Sequence, residues 1–288
     1  MSRLVRIALC VLCLSAAALI GSALLQQYAD VRVRWPPIDV ENTYYRQPQL
    51  LDYALAQLER SQSKQSQLFF VGFAGYGPEA VFKREVLAVR RLFDERFGTN
   101  GRSLALINHA STLPDTPLAN ANNLERALQH IGGLMNPDQD MLFLFLTSHG
   151  QKGLFVVDMP GFGFNDLIPE HLKAMLDRSG IKNRVVVVSA CHSGSFIPTL
   201  ADPTTLLITA AHADRTSFGC ADKRQWTYFG DAYFNRALRQ KRSFLRAFEH
   251  AKRLIRDWEG KEKLTRSLPQ MAGGEALKSR LEALAVGN

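Results

Sequence analysis

Hydrophobic residues along this chain fall into two kinds of segment. In Leu142-Phe143-Leu144-Phe145-Leu146 and Val185-Val186-Val187-Val188 every position is apolar. That pattern marks strands buried on both faces of a parallel sheet, because a half-exposed sheet would show alternation instead. Leu68–Phe73, Leu104–Ile107 and Thr205–Ala211 have the same character, and Leu154–Val157 is a shorter candidate strand. Between them apolar residues recur at helical spacing over Glu79–Phe97, Asn123–Ile131 and Leu167–Leu176, with Asn122 expected to cap the second of these helices. Strand and helix alternating at this pitch predict a three-layer α/β domain with a mostly parallel central sheet flanked by helices. The chemistry of such a sheet lies at the carboxyl ends of its strands.

The flanks read differently. Ile7–Leu25 carries no charge, follows Arg3 and Arg6, and has Ser15 and Ser22 as its polar side chains. Its length favours an uncleaved membrane anchor over a signal peptide, with Gly21-Ser22-Ala23 as the alternative cleavage site that would make the domain secreted. The positive-inside rule then predicts a single-pass inner-membrane protein with its domain in the periplasm or outside. The expected organisation is residues 1–36 as anchor or signal and start of linker, 37–67 as linker with a short helix at Leu50–Glu59, 68–239 as catalytic domain, and 240–288 as a C-terminal helix and edge segment. In that last part Phe244, Phe248, Ala251, Ile255 and Trp258 recur at spacings of 4, 3, 4 and 3, the stripe of an amphipathic helix. Ser267–Met271 contains Pro269, which suits a sheet edge.

Composition narrows the picture. The 288 residues are 46% hydrophobic and 22% charged, which excludes disorder, collagen and coiled coil. The net charge of +8 concentrates between Arg236 and Arg266, where eleven Lys and Arg stand against four Asp and Glu. A solvated basic helix face is the reading, because no nucleic-acid-binding motif accompanies it. Nucleic acid is therefore not an expected partner, whereas a peptide or protein substrate and the membrane are; the oligomeric state stays open. Beyond the apolar N-terminal segment the cysteines are Cys191 and Cys220, so at most one internal disulfide can form.

The strand ends hold the candidate chemistry. Gly72-Phe73-Ala74-Gly75-Tyr76-Gly77 reverses the dinucleotide fingerprint and reads as a tight turn, and Asn108-His109 reads as a polar loop pair. The next two strands end in Thr147-Ser148-His149-Gly150 and Ser189-Ala190-Cys191-His192-Ser193-Gly194-Ser195. A histidine and a cysteine thus reach one edge of the sheet, the pairing that thiol nucleophilic catalysis requires. Gly150 has no Cβ to keep a substrate carbonyl from its N–H, so the amides of Gly150 and Cys191 are the candidate oxyanion hole. His149, Cys191, His192, His212 and Cys220 lack zinc-ligand spacing, and neither metal nor cofactor is expected. No third residue orienting the imidazole can be chosen from sequence.

His149-Gly150 after one apolar block and Ala190-Cys191 after the next resemble the caspase/legumain clan of cysteine peptidases. The run Ala190-Cys191-His192-Ser193-Gly194-Ser195 resembles specifically the legumain-like family C13, in its bacterial membrane-anchored type. A second block agrees, Thr209 to Cys220 followed by Thr227-Tyr228-Phe229-Gly230-Asp231. The resemblance implies a caspase-like fold, Cys191 as nucleophile, His149 as general base, no metal, and Ser189, Thr216, Ser217 and Asp231 around the substrate pocket. Ser189 stands where the family's asparaginyl enzymes carry glutamate, and Gly75-Tyr76-Gly77-Pro78 replaces their Arg-His pair, so asparagine specificity does not carry over. The expected activity is endopeptidase cleavage through a thioester; ligation through the same intermediate, or a non-catalytic envelope scaffold, are the alternatives.

Overall fold

The computed structural model describes residues 38–62 and 66–286. The chain divides at Glu41/Asn42 into two units, and the site and core discussed below belong to the second, 42–288. The expected anchor, 1–36, lies outside the described residues; among those described, no helix is long and apolar enough to cross a membrane.

Six strands form the central sheet in the order β2-β1-β3-β6-β7-β8: β1 Leu68–Ala74, β2 Ser103–Ile107, β3 Met141–Thr147, β6 Arg184–Ser189, β7 Thr205–Thr209 and β8 Gln270–Ala272. Neighbours pair in parallel except β7 with β8, which pair antiparallel. The apolar runs take their predicted places because their strands are covered twice. Phe70, Phe143, Phe145, Val185 and Val187 face one helical layer, while Phe69, Val71, Leu142, Leu144 and Val186 face the other. Helix α2 (Ala80–Arg96) and helix α5 (Phe244–Lys261) cover the first face; α1 (Val40–Ala56), α3 (Ala121–Leu134) and α4 (Pro169–Arg178) cover the second. A final helix, α6, spans Lys278–Val286. Gly72 lets α2 approach β1, since a Cβ there would lie 2.7 Å from Val86 Cγ1.

Three local expectations change, and one helical segment is new. The short helix at 50–59 is instead α1, which starts ten residues earlier and contains Pro48. Gln47, Leu51 and Leu55, four residues apart, form its buried stripe, and Gln47 Oε1 accepts the Leu118 N–H at 2.7 Å, so this stretch belongs to the packed fold rather than to a linker. Asn120, not Asn122, caps α3, accepting the Asn123 N–H at 2.9 Å. The run Leu154–Val157 contributes β5 (Leu154–Phe155), which forms a separate hairpin with β4 (Gly150–Gln151). Residues 228–240 are helical with a π-helical middle, Asp231–Ala237, which the sequence reading did not place.

Candidate active site

β3 and β6 pair with Thr147 opposite Ser189, so His149 and Cys191 each leave the sheet two residues beyond a register partner. The chain order also places β1 between β2 and β3, and the crevice where such a sheet changes direction lies at the ends of β1 and β3. The loop leaving β1 delivers Tyr76 and Glu79 there.

His149 is held by side chains. Its Nε2 lies 3.1 Å from Glu79 Oε2, and its ring meets Tyr76 and Phe82 edge-on at centroid distances of 4.6 and 5.3 Å. Glu79 stands at the N-cap of α2 without capping it, so its carboxylate is free to serve the imidazole. This is the orienting residue that sequence reasoning missed. Gly75 and Gly77 make room for the 155–159 segment: a Cβ on Gly75 would lie 2.7 Å from the Val156 carbonyl oxygen, and one on Gly77 2.6 Å from Met159 sulfur. Close packing, not phosphate binding, accounts for that glycine-rich turn.

Cys191 is held by backbone. Its Sγ accepts the Ser217 N–H at 3.2 Å and donates toward the Ser217 carbonyl at 3.5 Å, and it makes no hydrogen bond to His149. After it the chain turns through His192 in the left-handed region, φ 57°, a conformation rare for a side-chain-bearing residue. The His192 N–H donates to the Arg215 carbonyl at 2.8 Å and its Nδ1 lies 3.0 Å from the Ala213 carbonyl oxygen. A short helical turn, Ser193–Phe196, follows, and Ser195 Oγ accepts the Gly153 N–H at 2.9 Å. The β4–β5 hairpin is thereby tied to the cysteine loop. Gly150 presses on it directly: a Cβ there would lie 2.6 Å from the Cys191 carbonyl oxygen. Val156 N–H bonds to the His149 carbonyl at 3.0 Å, which leaves Gly150, opposite Phe155, at a ladder position whose amide points away from its partner strand. The Cys191 N–H donates to no described backbone carbonyl.

The remaining expected pocket residues differ in their surroundings. Ser189 is buried, its carbonyl accepting the Ser148 N–H at 3.2 Å. Ser217 touches the thiol through its backbone, while the neighbouring Thr216 is exposed. Asp231 is engaged by its own helix, Oδ1 accepting from Asn235 at 2.7 Å and Oδ2 from Arg236 Nε at 3.1 Å.

Beneath the site lies Glu85, fully buried on α2. It accepts Thr147 Oγ1–H at 2.7 Å, Thr227 Oγ1–H at 2.8 Å and Thr227 N–H at 2.9 Å, joining the end of β3 to the start of the 228–240 helix. Burial raises its pKa, against the lowering effect of those three donors. Cys220 is free and half-buried; burial first, and then the nearby Cys191, push its thiol up to about 12. Among the described residues no group of three or more His, Cys, Asp or Glu is placed to hold a metal ion.

Comparison with known proteins follows the same lines. The sequence model of the peptidase C13 family matches residues 120–277, more than half of the chain. Legumain from Homo sapiens is 30% identical over 125 residues, 42% of this chain and 29% of that protein. Legumain from Rattus norvegicus is 29% identical over 125 residues, with 28% of its length covered. The chain therefore spans less than a third of the curated relatives it matches. Caspase-1 from Spodoptera frugiperda superposes with a TM-score of 0.51 at 13% identity, over 75% of this chain and 89% of that one, which shows a three-layer caspase-like fold.

Proposed function

The chain belongs to the peptidase C13 family, and from that premise we propose that it is a cysteine endopeptidase in which Cys191 is the nucleophile and His149 exchanges the protons. The observation that carries the reading is the delivery of both residues to one edge of the sheet from register-matched strands, with Glu79 bonded to the imidazole. In this mechanism Cys191 Sγ attacks the scissile carbonyl and the thiol proton passes to His149. The amides of Gly150 and Cys191 stabilise the oxyanion. Collapse of the tetrahedral species expels the amine, which leaves with the proton from His149, and the resulting thioester is hydrolysed by water. Glu79 fixes the ring orientation and favours its transient positive charge.

In the resting site the thiol is bonded to Ser217 and the imidazole to Glu79, so substrate entry is what brings the two together. Such loosening without substrate is common in catalytic pairs. Asparagine selectivity is expected to be weak, below about tenfold or roughly 1.4 kcal/mol, because Asp231 is already satisfied by Asn235 and Arg236 and Ser189 carries no charge. Profiling a peptide library with the full-length protein and its Cys191→Ala variant, reading cleaved and joined products by mass spectrometry, tests the reading. Products absent from the variant support it; equal products from both proteins overturn it.

A further inference from the structure

A groove of about 690 Å³ lies between helix α5 and the segment leading into β8. Lys252, Arg253 and Arg256 line it from α5, and Arg266 and Gln270 from the segment leading into β8, with His212 also in the lining. Its acids offset only part of the charge, and Arg256 is paired with Asp257 at 3.7 Å. Glu249 pairs with Lys252 at 3.5 Å, and Glu259 is buried and accepts the Ser267 N–H at 2.9 Å. Arg253 has no hydrogen-bond or ion-pair partner among the described residues. Arg266 donates to the Arg256 carbonyl, which fixes its guanidinium without offsetting its charge. Two exposed guanidiniums, one of them held in place, are suited to carboxylates.

The groove also abuts the cysteine loop. A Cβ on Gly194 would lie 2.3 Å from Gln270 Oε1 and 2.9 Å from the His212 carbonyl carbon, so two groove residues border the segment three positions after Cys191. Successive Cα atoms are about 3.8 Å apart, which puts Gly194, the point where the cysteine loop meets these groove residues, within roughly 11 Å of Cys191, about three residues of an extended peptide.

We propose that this groove is a subsite for acidic side chains of the peptide substrate, three to six positions from the scissile bond. The proposal deepens the peptidase reading and rests on it for the identity of the nucleophile. Its test is binding, which is separable from turnover. Full-length Cys191→Ala protein is titrated with fluorescent peptides of one sequence carrying Glu, Gln or Lys at those positions. The Glu peptide is expected to bind about tenfold more tightly than the Gln peptide at low salt, with the Lys peptide weakest. High salt should collapse the difference. The double variant Arg253→Gln/Arg266→Gln should bring the Glu-to-Gln ratio to about one, and in the protein with Cys191 intact the kcat/KM ratio should follow. Equal binding of Glu and Gln peptides, or a Glu preference that survives the double variant, overturns the proposal. Arginine-dependent binding to phosphatidylglycerol vesicles without arginine-dependent peptide binding overturns it in favour of a lipid surface. Failure of the peptidase reading would appear separately, as turnover indifferent to Cys191→Ala.

Discussion

His149 and Cys191 leave neighbouring strands at the same level of the sheet, yet their surroundings are built from different parts of the chain. The histidine end is made of side chains: Glu79, Tyr76 and Phe82 converge on the ring from the loop after β1 and the first turn of α2. The cysteine end is made of backbone, with Ser217 on the sulfur, Arg215 and Ala213 on His192, and Gly150 against the Cys191 carbonyl. A ring must be oriented as well as placed, which takes directional side-chain partners. A sulfur needs only a position and an open approach, which a turn can supply. The histidine end should therefore be sensitive to single conservative substitutions, while the cysteine end should tolerate them at Ser217 and Arg215, which contact it through backbone, though not at Gly150, where a Cβ would meet the Cys191 carbonyl.

The largest effect is expected from His149→Ala. With His149 in the proposed role of general acid–base group, its loss should lower kcat/KM by about 10²–10⁴-fold. Its ring is 35% exposed, so the melting temperature should move by no more than a few degrees. Near-normal turnover by this variant would remove the histidine end from the mechanism. Glu79→Gln comes next. Replacing a charged hydrogen bond of about 1.5–3 kcal/mol should cost about ten- to a hundredfold in kcat, with stability little changed because Glu79 caps nothing. Stability loss with full activity would instead make Glu79 a helix residue. By contrast Ser217→Ala, which keeps both backbone bonds to sulfur, should stay within about threefold of the parent.

The legibility of the two ends in sequence follows from the same contrast. β3 and β6 could be read because every residue of Leu142–Leu146 and Val185–Val188 is apolar, and His149 and Cys191 followed from what stands just past them. Glu79 could not, because a glutamate before a helix is ordinary favourable chemistry with the helix dipole and its partner is 70 positions away. Ser217 acts through N–H and C=O, which any residue offers. Glu85 did leave a signal: it sits in the apolar stripe of α2 beside Phe82, Val86 and Val89, where a carboxylate demands buried partners. Helix α1 was hidden by Pro48 and by the exposed Tyr44, Tyr45 and Tyr53, which resemble a linker until Gln47, Leu51 and Leu55 are seen on one face.

Two smaller effects probe the support beneath the histidine end. A Cβ on Gly230 would lie 1.8 Å from Glu85 Oε1, so Gly230→Ala should destabilise the protein by about 1–3 kcal/mol in chemical denaturation. An unchanged midpoint would show that Glu85 does not anchor the 228–240 helix rigidly. The last concerns pH. Because burial raises the folded pKa of Glu85 above its ordinary 4.5, its contribution is complete below that value and is lost as pH rises through the folded pKa. Glu85→Gln does not titrate there. Its melting temperature relative to the parent should therefore improve as pH is raised from about 4 to 8, and a difference constant with pH would contradict the raised pKa.

The central claim is that the thiol of Cys191 is the nucleophile and that His149 activates it. A peptidyl electrophile directed at thiols, followed by intact-mass measurement and peptide mapping at about pH 8, tests it most directly. Cys220, its thiol pushed up to about 12, should stay protonated at that pH and remain unmodified. The account predicts a single adduct on Cys191 that forms more slowly in His149→Ala; an adduct on Cys220, no adduct at all, or equal rates in the two proteins would contradict it.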